Sequence, residues 1–383
     1  MELTQVVKSR ITFIELNHHF EVLRPMLELV DLSRFSVQVA VRSIFYEQYE
    51  YANKNDFEWV LFPDTEVQAE WIDKINNLNT QQLVIVVTGS SQRAALARRL
   101  TGLNYALLIH NYTPTFHPFR LDFTGATFRD ILRGAKYYLY YPGLKKLLRG
   151  ASHLFFLHDQ VHAEISPSVQ ERYPIVSSPA LFYRVSAIDD VLEADERKRI
   201  VLPGTVKSNG RDYAGVGKAM QSLSDAQLAK VHLHLLGAAS TPFARDVLKP
   251  YQKLLARGLT ISSETHAISS AEYDRIFQHA DLILCPYKAR FRLGLHTDRF
   301  GLNSISGTMN DLIRFGRPAL VSKYHPFPSA LERSVVRYDG LADLTLQLSR
   351  FLAGELMFDL AVPESYRREH CCDNFNQWLV DRL

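Results

Sequence analysis

The residues best suited to chemistry fall in one stretch, Arg290–Pro318, which reads RFRLGLHTDRFGLNSISGTMNDLIRFGRP. Ser304, Ser306, Gly307 and Thr308 stand where a helix pattern, Gly307–Phe315, begins and which Gly316 closes. Small residues there leave backbone N–H groups open at the positive end of the helix dipole, an arrangement that binds phosphate. The hydroxyls of Ser306 and Thr308 add donors, and Lys288, Arg290 and Arg292 upstream carry charge to neutralise a diphosphate. Asp311, one turn further in, offers a carboxylate for two hydroxyl hydrogen bonds, as from a ribose. A local reading competes: Ser306 as a plain N-cap and Asp311 as a favourable charge near the dipole. The residue types leave both open.

Two further groups follow strand patterns. Lys207 and Arg211 lie just past Pro203-Gly204, where a strand ends; they are either cations facing a cleft or solvated cations of a surface loop. Among the 14 histidines, His18 and His19 follow the first strand pattern directly and His110 follows YALLI. Imidazole titrates near neutrality and serves as a base or a hydroxyl partner; a structural hydrogen bond is the alternative for each. His158, beside Asp159, is another strand-end position. No Cys-x-x-Cys exists and His18-His19 lacks the spacing of two ligands on one helical face, so no metal site is expected. His370-Cys371-Cys372 falls in a helix pattern and reads as packing. Nucleophile-elbow, Walker and Gly-x-Gly-x-x-Gly signatures do not occur; Gly215-Val216-Gly217 stands alone.

These positions need a scaffold. Ile11–Leu16, Ser36–Val41, Val60–Phe62, Leu83–Val87, Tyr105–Ile109 and Leu154–Leu157 read as strands, alternating with helix patterns at Glu21–Val30, Ala69–Asn77 and Ser91–Leu100. Apolar runs separated by helices predict βαβ units and parallel sheets buried on both faces. After the charged stretch Asp189–Arg199, a second such series begins: strands at Ile200–Leu202, Val231–Leu236, Leu259–Ser262, Leu282–Cys285 and Ala319–Ser322, with a helix at Ser269–Gln278. Helices at Leu341–Leu352 and Glu364–Leu383 end the chain. The length of 383 residues suits two or three domains at roughly 100–200 residues each.

Composition excludes several classes. Hydrophobic residues at 46% and charged residues at 22% exclude disorder, collagen and coiled coil as descriptions of the whole. No apolar run reaches the roughly 20 residues of a membrane span, and the opening residues do not read as a secretory signal. A net charge of +3, from 44 basic and 41 acidic residues, argues against nucleic acid as a partner. Three cysteines give no disulfide framework, which points to a reducing, cytoplasmic setting.

The run DLIRFGRPAL from Asp311, after RFGLNSISGT, resembles the donor-binding segment of GT-B glycosyltransferases, nearest the GT4-like (glycosyl transferases group 1) family. VLPGTVKSNGRDY at Val201–Tyr213, Leu235–Gly237 and Ser269–Tyr287 resemble further parts of that nucleotide-binding domain. The likeness covers nearly all of residues 200–322; over residues 1–190 only the α/β rhythm supports it. Asn303 and Thr205 stand where the family carries a glutamate and an arginine, and Asn17-His18-His19 where a Gly-Gly is common. The resemblance implies an α/β chain of GT-B type, two doubly wound Rossmann-like domains facing across a cleft: 1–190 on the acceptor side, 191–360 binding the nucleotide sugar, and 361–383 as a helix packing back on the first. It implies transfer of a sugar from a nucleotide-diphosphate sugar, without metal or other cofactor and with retention, to a glycan or lipid-linked acceptor. Gly204, Lys207, Arg211, Lys288, Arg290, Ser306, Gly307, Thr308 and Asp311 would hold the donor; His110, with His18 or His19 next, would be catalytic. An epimerase or hydrolase, and an inactive binding or partner subunit, remain the alternatives.

Residues 133–149, RGAKYYLYYPGLKKLLR, interleave five cations with four tyrosines and carry no acid. They read either as a helix–loop–helix with a solvated basic face, or as a contact with anionic lipid at the inner face of a membrane.

Overall fold

The computed structural model describes residues 8–17, 19–49, 52–65, 69–75, 78–89, 92–158, 161, 165–185, 196–206, 210–266, 268–304 and 306–383. Of the site candidates, His18 and Lys207 lie outside the described residues, as does Asp159. The chain divides into two units: one takes the described residues of Met1–Leu181, Leu293–His296 and Arg368–Leu383, the other those of Phe182–Arg292 and Thr297–Arg367.

In the first unit, β1 (Ser9–Glu15), β2 (Phe35–Arg42), β3 (Glu58–Phe62), β4 (Gln82–Thr88), β5 (Tyr105–Leu108) and β6 (His153–Phe155) form one parallel sheet in the order β3-β2-β1-β4-β5-β6. The apolar runs read from sequence are its interior strands: Ile11, Phe13 and Ile14 of β1 and Leu83–Val87 of β4 are fully buried. Continuous burial follows from helices covering both faces. At the edge, β3 begins earlier than read, at Glu58, and buries only Phe62; a half-exposed edge carries little apolar signal.

The second unit repeats the arrangement. Strands β7 (Lys198–Pro203), β8 (Val231–Leu236), β9 (Thr260–Ser263) and β10 (Leu282–Cys285) join with β13 (Ala319–Ser322) and β14 (Val335–Tyr338); the short strands β11 (Phe291–Leu293) and β12 (His296–Asp298) lie between β10 and β13 in the chain and outside this sheet. The parallel order is β14-β13-β10-β7-β8-β9. In both sheets the winding reverses between the first and fourth strands, at β1/β4 and at β7/β10. Connections from such neighbours leave towards opposite faces and open a crevice outside their carboxyl ends.

The C-terminal helix Arg368–Val380 closes the first unit. Asn376 Nδ2 donates to the Leu29 carbonyl at 2.8 Å, and its Oδ1 accepts the Asp31 N–H at 2.8 Å. Arg368 Nη2 donates to the Glu28 carbonyl at 3.0 Å. These two side chains thus satisfy the end of the helix Phe20–Leu29, whose last carbonyls lack helical partners. Within the same helix Cys371 is buried as packing while His370 is exposed.

One tract departs from expectation. Residues 133–149 are not a helix–loop–helix but part of a single 23-residue helix, Phe128–Gly150, that runs through Pro142. A proline removes one helical donor, yet packing holds the helix together. Gly143 lies so close to the helix Arg93–Arg99 that a Cβ would sit 2.6 Å from the Ala94 nitrogen. Thr127 and Asp130 form a capping box at its start.

The helix Gly307–Phe315 forms as read and buries Met309, Leu312, Ile313 and Phe315. Gly316 ends it at φ 60°, its N–H donating to the Leu312 carbonyl at 2.9 Å. Arg184 Nε donates to the Ile313 carbonyl at 3.0 Å, and its guanidinium lies where a Cβ of residue 316 would be, 1.4 Å from Nη1. Gly316→Ala therefore combines left-handed backbone strain with displacement of Arg184. Urea denaturation should show a loss of about 1–3 kcal/mol; an unchanged midpoint would mean that neither constraint acts.

Candidate functional site

The second unit's crevice is built by pairing two loops. Asp212 N–H donates to the Pro286 carbonyl at 2.7 Å, Lys288 N–H to the Gly210 carbonyl at 2.9 Å, and Arg211 bridges Tyr287 between them. This short antiparallel contact ties the loop after β7 to the loop after β10 and fixes Arg211. Its guanidinium stands 5.5 Å from the centre of the Tyr287 ring. It also lies against Gly204, where φ is 93° and a Cβ would sit 2.5 Å from Nη2. Glycine at 204 is thus required twice, by backbone angle and by space. Among the described residues, no carboxylate lies within ion-pair distance of Arg211. A half-buried guanidinium without an acid is poised for an anion from outside.

Tyr287 carries the link onward. Its hydroxyl hydrogen-bonds Ser306 Oγ at the start of the helix Gly307–Phe315. Ser306 and Thr308 are buried, and the Ser306 hydroxyl is spent on Tyr287 instead of capping the helix. Gly307 is exposed, with no atom within 4 Å of where a Cβ would be. Space is therefore open beside the residue that starts the helix, at its positive end. Asp311 accepts the Tyr273 hydroxyl at 2.8 Å. Burial, reinforced by that carboxylate, holds the Tyr273 phenol well above its usual range. Burial likewise pushes Tyr287 up to about 12 against the pull of Arg211, so both phenols stay neutral. Lys288 and Arg290 are exposed on the loop after β10.

The first unit's crevice gathers acids and imidazoles. At the end of β1, Glu15 is fully buried, and its Oε1 accepts the N–H groups of Asn17 at 2.7 Å and His19 at 3.3 Å. Burial raises its carboxyl above the ordinary value, opposed by those hydrogen bonds and by Thr88. His19 stacks on His110 with ring centres 4.3 Å apart, and its Nδ1 is 3.0 Å from Glu21 Oε1. Burial works against the His19 charge, but Glu21 and Glu15 prevail and raise its pKa. His110 behaves oppositely. Its Nε2–H donates to the Val87 carbonyl at 2.9 Å, and burial, helped by the neighbouring His19, pushes its pKa down to about 3.

Tyr287 and Tyr273 are site residues that sequence reading passed over, because a tyrosine beside an apolar strand reads as core. The available signal was position: Tyr287 follows Pro286 directly at the end of β10.

No protein-family model and no curated protein matches the chain. Solved structures do match. A glycosyltransferase from Rickettsia africae shares 12% identity at a TM-score of 0.55, over 98% of this chain and 96% of that one. MnaA of S. aureus, solved with UDP, shares 11% at 0.56, over 98% of both. The UDP-GlcNAc 2-epimerase of Methanocaldococcus jannaschii shares 12% at 0.53, over 97% of this chain and 99% of that one. At such identities the likeness establishes the fold: GT-B, built from two Rossmann-like α/β domains.

The imidazole pair makes a pH prediction. The unfolded chain protonates His110 near 6.5, whereas the folded one does so only near 3. Acid therefore costs stability across that window, at about 1.4 kcal/mol per pH unit for one proton. Between about pH 6 and pH 5, His110→Asn should lose roughly 1 kcal/mol less than the parent in denaturant titrations. Imidazole resonances should show His19 titrating with a raised midpoint and His110 silent; titration of His110 near neutrality would contradict the assignment.

Proposed function

We propose that this chain is a glycosyltransferase using a nucleoside-diphosphate sugar, which it binds at the carboxyl ends of β7 and β10. The observation that carries this reading is Arg211: a guanidinium without a carboxylate, pinned between Gly204 and Tyr287, with Tyr287 leading to the open helix start at Gly307. In sugar transfer the bond between the anomeric carbon and the β-phosphate oxygen breaks. The leaving diphosphate gains charge, and fixed donors aimed at it lower the barrier. Arg211 and the Gly307–Thr308 amides would supply that stabilisation without a metal, assisted by Lys288 and Arg290. Asp311, oriented by Tyr273, would receive the ribose hydroxyls. The UDP held by the S. aureus neighbour supports a nucleotide ligand for this fold.

In the first unit, His19 is the better proton acceptor of the pair. His110 binds protons too weakly and has its N–H committed to Val87; its role is to position His19 by stacking. The acceptor would be a glycan or a lipid-linked sugar. Because 2-epimerases share the fold, products should be analysed with and without acceptor: a new glycoside supports transfer, whereas an epimer or free sugar supports the other reaction.

Arg211→Ala and Asp311→Ala should each weaken nucleoside-diphosphate binding by about 1.5–3 kcal/mol in calorimetry, with circular dichroism unchanged. Gly204→Ala should do the same by pushing the guanidinium aside. Parental affinity in all three would remove the donor site from this crevice.

A further inference from the structure

The first unit carries an apolar surface that its own packing leaves uncovered. On one side, the helix Phe128–Gly150 is fully engaged. Gly134 approaches Leu295 so closely that a Cβ would lie 2.6 Å from it. Tyr137 donates to the Pro114 carbonyl and sets its ring 5.5 Å from His296. Past Pro142, Leu144, Leu147 and Leu148 are buried. The outward side of its first turns is apolar as well. Phe128, Ile131, Leu132 and Leu139 share one face at helical spacing, and Phe128 and Leu139 are 74% and 79% exposed. In the preceding loop, Phe119 is 79% exposed and Phe123 60%. Scattered exposed apolar residues are ordinary, but a group of this size marks an interaction surface.

Charge identifies the partner. Arg129, Arg133 and Lys136 flank the stripe, and Lys145, Lys146 and Arg149 follow; all six are exposed. The helix holds a single acid, Asp130, which is bound into the cap at Thr127. We propose that this face docks on a bilayer containing anionic lipid, with Phe128, Ile131, Leu132 and Leu139 below the headgroups and the cations among them. A second copy of the chain fits poorly, because a two-fold contact would set cations against cations. Two of the four tyrosines of the tract serve elsewhere: Tyr137 and Tyr138 donate to the Pro114 and Pro118 carbonyls. Among the described residues no helix is long and apolar enough to cross a membrane, so the attachment is peripheral. This inference stands apart from the donor site.

The test is flotation of the full chain with phosphatidylcholine vesicles containing about one third phosphatidylglycerol, at low salt. The chain should float with these vesicles, and barely with pure phosphatidylcholine or in high salt. Phe128→Ser, Leu132→Ser and Leu139→Ser combined should cut partitioning about tenfold or more with circular dichroism unchanged; Arg133→Glu with Lys136→Glu should do likewise. Failure of the parent to float, equal flotation with neutral vesicles, or parental flotation of either variant overturns the proposal. So does a dimer in sedimentation velocity that the triple variant dissociates while the parent ignores vesicles.

Discussion

A parallel sheet wound outward from its middle cannot avoid one crevice, and this chain builds that constraint twice. At β1/β4 and β7/β10 neighbouring strands send their connections to opposite faces, so their carboxyl ends are the positions that helices do not cover. The polar groups that packing would exclude from the sheet collect there. Glu15, fully buried, is held by the N–H groups of the turn it starts. Arg211 is held by the pairing of Gly210–Lys288 and Asp212–Pro286. Both are expensive groups to bury, and both sit where the topology leaves room.

The two crevices have opposite electrical character. Around Arg211 stand neutral phenols, a neutral thiol at Cys285 and a helix start, with no carboxylate paired to the guanidinium among the described residues. Around His19 stand two glutamates and a second imidazole. The first arrangement concentrates positive charge; the second sets where a proton resides. One fold motif is thus differentiated by which side chains follow its central strands.

Much of the scaffold is legible in sequence because its central strands are buried on both faces. Leu83–Val87 and Leu282–Cys285 can hardly be read otherwise, and Gly316 marks its helix end through chirality alone. What escapes depends on contacts between distant segments. Nothing near Tyr287 announces that it will link Arg211 to Ser306, since that follows from backbone pairing across two loops. His110 is legible as a strand-end residue, but its low pKa comes from burial and from the neighbouring charge of His19, neither of which is local. Pro142 misleads for the same reason: the close contact of Gly143 with Ala94 outweighs the lost hydrogen bond. The basic tract is legible in composition, while the side of it that faces water depends on the packing of Gly134 against Leu295.

The most direct test of the account is a crystal structure of the chain grown with a nucleoside diphosphate. The account predicts the two phosphates within hydrogen-bonding distance of the Arg211 guanidinium and of the amides at Gly307 and Thr308. Diphosphate density elsewhere, with Arg211 turned from it or paired to a protein carboxylate, would contradict it.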